Sequence, residues 1–209
     1  MSEQLVFYTN PQSRGRVVRW ILEEVGEPYR TEVLEFGAAM KSPAYRRINP
    51  MGKVPALSHG STVVTEVAAI CAYLADAFPG AALAPASGST LRGPYYRWLF
   101  FAAGPIEAAA SNRALGLTVP AGREAMMGYG TYELAMEVLE QAVSASDYLV
   151  GNSFSAADIY LGAHIGFGMQ FGTIEKRPAF ERYWSRLNAR PAKQRADQLD
   201  NALMASPPS

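Results

Sequence analysis

The chain has 209 residues, 49% of them apolar, enough for one large domain or two small ones with a substantial interior. Its 19 basic and 19 acidic side chains balance, and no basic stripe stands out, which argues against nucleic acid as a partner. One cysteine, Cys71, excludes an internal disulfide and a C-x-x-C redox pair, and the apolar runs are far short of a membrane span.

The start passes almost directly into "LVFY" (Leu5–Tyr8) without a basic n-region or a small-residue cleavage site, so a cytoplasmic protein with no membrane association is expected. "LVFY" reads as a short strand closed by the turn-rich "TNPQS". From Gly15 to Val25, Val17, Val18, Ile21, Leu22 and Val25 fall on one helical face, and Gly26 ends the run. "EPYRTEVLEF" alternates loosely and predicts a second strand, giving a strand–helix–strand unit the size of a parallel crossover. "SPAYRRINP" is a short helix or turn. "VPALSHGSTVVTE" reads as a hairpin around "HGS". "EVAAICAYLADAFPG" is a helix with Val67, Ile70, Cys71 and Leu74 on one side.

After the small-residue and proline stretch "AALAPASGST", helical periodicity takes over. "LRGPYYRWLFFAAGPIEAAASNRAL", "EAMMGYGTYELAMEVLEQAVSAS", "SFSAADIYLGAHIGFGMQF" and "AFERYWSRLNARPAK" are all expected to be helical, and the last residues, "MASPPS", to be frayed. The expected organisation is an α/β domain of order β-α-β/β-β-α over residues 1–81, a linker at 82–88 and an all-α helical bundle over 89–209.

Proline cannot donate to a sheet ladder, yet Pro55 in "NPMGKVPAL" starts the expected third strand. The β-α-β/β-β-α order with a proline at that place is the pattern of the thioredoxin-like fold. An X–Pro bond costs only about 0.5–1 kcal/mol to be cis, and a cis bond here would leave the N–H and C=O of Val54 open at the sheet edge for an extended peptide. An ordinary trans proline on an edge strand is the plainer alternative. "TEVAAICAYLADAFP" puts Thr65 and Glu66 at a helix start, where free N–H groups favour a carboxylate and Glu66 faces an ammonium. A γ-glutamyl group carries both. Glu66 as a simple first-turn acid is the competing reading.

These two motifs, followed by "FSAADIYL" in a helical domain, resemble the glutathione transferase superfamily over nearly the whole chain. In the third motif Ser155 and Asp158 form a capping box, with Phe154 and Ile159 as its hydrophobic staple, a structural device worth about 1 kcal/mol. The resemblance implies a co-substrate, glutathione, whose cysteinyl backbone pairs with Val54 beside Pro55. Glu66 with the backbone of Val67 would hold the γ-glutamyl end, and Lys53 and Lys41 would meet carboxylates, the glycyl one for Lys41. An ordinary solvated lysine is an equal reading for Lys41 and the weaker one for Lys53. The family usually has Ser or Thr where this chain has Val67, so a hydrogen bond worth about 1–3 kcal/mol is absent unless Thr65 substitutes.

Chemistry in this family needs the thiolate, a minor species for an ordinary thiol at neutral pH. Its stabilising donors belong in "YTNPQSRGR". Ser13, in a P-x-S setting like that of serine-type members, is the catalytic candidate; Tyr8, Thr9, Asn10 and Arg14 are the alternatives. A helix cap is the plainer reading of Ser13. The loop has no cysteine, which argues against the branches that use a protein thiol, and Cys71 reads as inert core. His59 and His164 form no metal pattern, so no metal is expected. Tyr95, Tyr96, Trp98, Met126, Met127 and Tyr129 are candidate walls for an apolar electrophile between the domains, although aromatics and methionines at helical spacing are more often core. "PYYRWLFFAAGP" is apolar around much of its helix, which suits a homodimer. The reading is a transferase conjugating glutathione to a small hydrophobic electrophile. A peroxidase or isomerase on the same site, or a non-catalytic protein keeping the fold, are its alternatives.

Overall fold

The structure, a computed structural model, describes residues 4–205. Strand β1 (Leu5–Thr9) leads into α1 (Gly15–Val25) and β2 (Tyr29–Val33). Two single-turn helices, α2 (Ala38–Lys41) and α3 (Pro43–Arg46), precede the hairpin of β3 (Ala56–His59) and β4 (Thr62–Thr65), and α4 (Val67–Ala77) closes the unit. The sheet order is β2-β1-β3-β4. Only β1 and β2 are parallel; β3 runs antiparallel to both β1 and β4. This is the expected thioredoxin-like β-α-β/β-β-α arrangement.

The core forms where the helical and strand periodicities meet. Leu5 and Phe7 of β1, Val17, Val18, Trp20, Ile21 and Leu22 of α1, Leu57 of β3, and Ile70, Cys71 and Leu74 of α4 are all buried. Helix α1 stops at Gly26, which takes the left-handed conformation (φ 78°) and donates its N–H to the Leu22 carbonyl, 2.9 Å.

The helical part comprises α5 (Arg92–Phe101), α6 (Glu107–Ala114), α7 (Tyr132–Ala145), α8 (Ala156–Phe171), α9 (Pro178–Asn188) and α10 (Pro191–Ala205). A π-helical turn, Ala102–Ile106, joins α5 to α6 and contains Pro105. The wider turn accommodates a residue that lacks an N–H, so the helical run continues through the proline. The helix expected from Glu124 to Ser146 is shorter. A single 3₁₀ turn at Glu124–Met126 is followed by a break, and α7 starts only after Thr131, whose side chain caps the Leu134 N–H. Gly128 and Gly130 lie in that break, and Gly130 takes φ 66°.

Helix α8 is apolar nearly all round and lies at the centre of the helical unit. A Cβ on Gly166 would sit 2.5 Å from the Trp184 ring of α9, so glycine permits this helix contact. Its N-terminus carries the predicted capping box between Ser155 and Asp158.

The chain packs as two compact units. One runs from the N-terminus to Ala82 and takes in the chain from Ala189 onward; the other is Leu83–Asn188. The expected 89–209 helical domain differs at its end, because α10 packs on α1. Arg19 Nε bonds Asp200 Oδ1 at 2.7 Å in a buried ion pair, Arg16 Nη2 donates to Asn201 Oδ1 at 2.7 Å, and Arg190 forks onto Glu24. Helical periodicity announces an apolar face without naming the surface that covers it. Of the tail "MASPPS", Met204 and Ala205 finish α10, and residues 206–209 lie outside the described residues.

Candidate active site

Two stretches of the first unit carry the chosen residues. One is the loop from β1 into α1; the other runs from α2 through the hairpin to the start of α4.

In the first, Ser13 is half-buried and its hydroxyl is engaged on both sides. It donates to the Asn10 carbonyl (2.7 Å) and accepts from the Gly15 N–H (2.9 Å). The bond from Gly15 gives Ser13 a cap-like place, since Gly15 is the first residue of α1. Two of the alternatives point elsewhere. Thr9 is fully buried, and a Cβ added to Gly15 would fall inside its hydroxyl. Asn10 is 5% exposed, with Nδ2 donating to the Leu34 carbonyl and Oδ1 accepting from the Gln12 N–H, both at 2.9 Å. Both side chains are committed to holding the loop. Arg14 is exposed at the start of α1. Tyr8 is half-buried on β1, its ring 5.8 Å from that of Tyr45.

In the second stretch, the Val54–Pro55 peptide is cis. Pro55 does not enter the sheet: β3 begins at Ala56, which pairs with Tyr8 on one side and Thr65 on the other. Strand β3 is internal, so Val54 lies past the end of its ladders. The expected lateral edge position gives way to this one, because β4 covers the flank of β3. Lys53 is exposed, and its carbonyl accepts from Tyr45 Oη and Asn49 Nδ2, each at 2.7 Å. Burial, with Tyr8 as a further contributor, pushes the Tyr45 hydroxyl up to about 12, so it stays a proton donor. Tyr45 and Asn49, each 4% exposed, therefore fix the segment entering Val54. Neither stands out in the sequence, where the signal is a polar residue four before Lys53 with a tyrosine another turn back.

Lys41 Nζ donates to the Met51 and Gly52 carbonyls, 2.9 and 2.8 Å, and so clamps the turn before Lys53. Two of its three N–H bonds are thereby used internally. Glu66 is exposed and has φ 68° and ψ 121°, a left-handed backbone that costs a non-glycine residue about 1–3 kcal/mol. Among the described residues no N-cap side chain bonds the start of α4, whose first N–H groups, that of Val67 among them, form the positive end of the helix. The Val67 side chain itself is buried at 9% exposure. Thr65 is half-buried at the end of β4.

The other candidates divide. Cys71 is fully buried and burial pushes its thiol well up, which leaves it unreactive. His59 Nδ1 hydrogen-bonds Tyr73 Oη at 2.9 Å, and the His164 ring sits 4.7 Å from that of Tyr160. No group of three or more His, Cys, Asp or Glu is placed to hold a metal among the described residues. Tyr95 and Trp98 are core, 0% and 6% exposed. Of the six candidate wall residues, only Tyr129 lines a cleft of about 340 Å³ in the helical unit, beside Asn112, Arg113 and Tyr132. A second cleft of about 590 Å³ in the first unit lies between α1, β2 and α10, away from every chosen residue.

Comparison with known proteins gives this arrangement a family. The glutathione S-transferase N-terminal domain family matches residues 13–77, and its C-terminal domain family matches residues 130–191. The chain belongs to the glutathione transferase superfamily. Among its relatives, protein LigF of Sphingobium sp. is 33% identical over 192 residues, covering 71% of this chain and 74% of LigF. A glutathione transferase from Methylococcus capsulatus has a crystal structure that aligns at a TM-score of 0.79 with 27% identity, over 95% of this chain and 99% of that one. A sphingomonad glutathione S-transferase, solved in complex with glutathione, aligns at 0.76 with 27% identity, over 94% and 98%.

Proposed function

We propose that this protein is a glutathione transferase that binds glutathione on the first unit, favours its thiolate and delivers it to a small apolar electrophile. The observation that carries the reading is Glu66, held exposed in a strained backbone beside a helix N-terminus that no side chain caps. That pair offers a carboxylate for an ammonium and N–H groups for a carboxylate, the two charges of a γ-glutamyl end. The Val54 backbone, past the sheet ladders and fixed through the Lys53 carbonyl, takes the cysteinyl peptide. Lys53, and the remaining N–H of Lys41, serve the glycyl carboxylate.

Ser13 is the thiolate donor in this reading, and its proton has somewhere to move from. The Asn10 carbonyl that accepts it also accepts the Ser13 N–H at 3.0 Å, so turning the hydroxyl toward sulfur leaves no orphaned carbonyl. The Gly15 N–H remains on Oγ and strengthens it as a donor. Each unit by which the thiol is lowered needs about 1.4 kcal/mol of preferential stabilisation. A cytoplasmic location and electrophile detoxification go with this chemistry, since a free thiol co-substrate requires a reducing compartment. We also propose a homodimer through α5, where Tyr96 and Phe100, 40% and 70% exposed, stand one turn apart.

Calorimetric titration with glutathione, on the wild type and on Glu66→Ala, tests the reading. Binding by the wild type that Glu66→Ala abolishes supports it. No heat at millimolar glutathione at two temperatures overturns it. That result would favour a non-catalytic protein keeping the fold, a reading supported by Val67 in place of the family's hydroxyl residue.

A further inference from the structure

We propose that Asn10 is a positioning residue for the thiolate step, setting the direction in which the Ser13 hydroxyl can donate. The inference rests on the reading of Ser13 above and adds a group that never touches glutathione.

Asn10 is nearly inaccessible, and both polar groups of its side chain and its carbonyl are hydrogen-bonded. Its Nδ2 donates to the Leu34 carbonyl, just past β2, and its Oδ1 accepts from the Gln12 N–H. The backbone of the same stretch adds a second tie: the Leu34 N–H donates to the Thr9 carbonyl at 2.8 Å. Residues 9 and 10 are thus pinned to the neighbouring segment from two sides. The Asn10 carbonyl, oriented by those ties, receives both the N–H and the O–H of Ser13. Arg16 reinforces the loop, its Nε donating to the Pro11 carbonyl at 2.7 Å.

The consequence is a hydroxyl with two defined neighbours and one movable proton. Gly15 N–H fixes the lone-pair side of Ser13 Oγ, and the Asn10 carbonyl fixes the resting direction of its O–H. When a thiolate is present, the O–H rotates from the carbonyl to sulfur. No covalent bond changes, and the proton stays on Oγ. If the Asn10 side chain is cut back, the 10–13 turn loses the two bonds of the Asn10 amide, to the Leu34 carbonyl and from the Gln12 N–H. Oγ is then no longer held where rotation brings its proton onto sulfur.

The test is the titration of glutathione bound to the enzyme, read by ultraviolet absorbance of the thiolate, in the wild type, Asn10→Ala, Ser13→Ala and the double variant. Asn10→Ala is expected to raise the thiol midpoint by about half to one pH unit, with glutathione affinity changed by no more than about two-fold. The double variant is expected to titrate like Ser13→Ala alone, because Asn10 acts only through that hydroxyl. If Asn10→Ala does not fold, Asn10→Ser carries the same test, since its hydroxyl can still accept from the Gln12 N–H while the tie to Leu34 is lost. A midpoint unmoved by the Asn10 variant, beside one raised by Ser13→Ala, overturns this inference alone. Shifts that add in the double variant also overturn it. A midpoint unmoved by Ser13→Ala overturns the reading of Ser13 and this inference with it.

Discussion

Replacing Asp158 by alanine should destabilise the protein far more than loss of an ordinary helix cap. Its two carboxylate oxygens accept four hydrogen bonds in a fully buried site. Oδ1 accepts from the Leu149 N–H (2.8 Å) and Tyr183 Oη (2.7 Å), and Oδ2 from the Ser155 N–H and Oγ (both 2.9 Å). Alanine strands the two backbone N–H groups and the Tyr183 hydroxyl, whereas the Ser155 hydroxyl can turn to another acceptor. At about 1–3 kcal/mol for each buried donor left unpaired, three such donors and partial relaxation give a loss near 4 kcal/mol. A simple cap is worth about 1 kcal/mol. Asp158→Asn keeps one oxygen for Leu149 and Tyr183 but turns an NH₂ toward the Ser155 N–H, so about half the loss is expected. Urea unfolding followed by circular dichroism measures both. A loss at or below about 1 kcal/mol for Asp158→Ala, with an unchanged slope, would refute the reasoning. The pH dependence has a defined sign. Burial outweighs the hydrogen bonds and raises the folded Asp158 carboxyl above 3.8, so the folded state holds the extra proton. The stability of wild type relative to Asp158→Asn is therefore greatest below 3.8 and declines as pH rises through the raised value.

Asp200→Ala leaves the Arg19 guanidinium in the α1–α10 contact without its counter-charge, at 3% side-chain exposure. A loss of about 3–5 kcal/mol is expected in thermal or urea unfolding, and Arg19→Met with Asp200→Leu should recover most of it. Gly15→Ala drives a methyl into the Thr9 hydroxyl and should lower both stability and glutathione affinity. Adding Thr9→Ala should restore part of each, seen in melting and calorimetry. Val67→Ser supplies a hydroxyl beside the uncapped end of α4 and should tighten glutathione binding by about tenfold. The same change removes a buried isopropyl group, so a lower melting temperature is expected alongside the gain.

Much of this was legible in the residues themselves. The spacing of Val17, Val18, Ile21 and Leu22 and the stop at Gly26 matched helix α1, since local periodicity and a left-handed terminus are properties of the chain over a few residues. The capping box at Ser155 and Asp158 was equally local. What the residues left open depended on neighbours distant in sequence. In sequence Asn10 is an alternative thiolate donor, and only the approach of Leu34, 24 residues later, turns its amide into the loop. The sequence places the open Val54 backbone at a sheet edge, and the flanking β4 makes β3 an inner strand with Val54 beyond its end. Helix α10 falls within the expected all-helical stretch without a motif of its own, and its packing on α1, with the buried pair of Arg19 and Asp200 181 residues apart, comes only from the tertiary structure. Sequence patterns determine which face of an element is apolar and where it stops. Which polar groups meet inside, and hence which of them remain available to a ligand, is decided by the packing that removes their water.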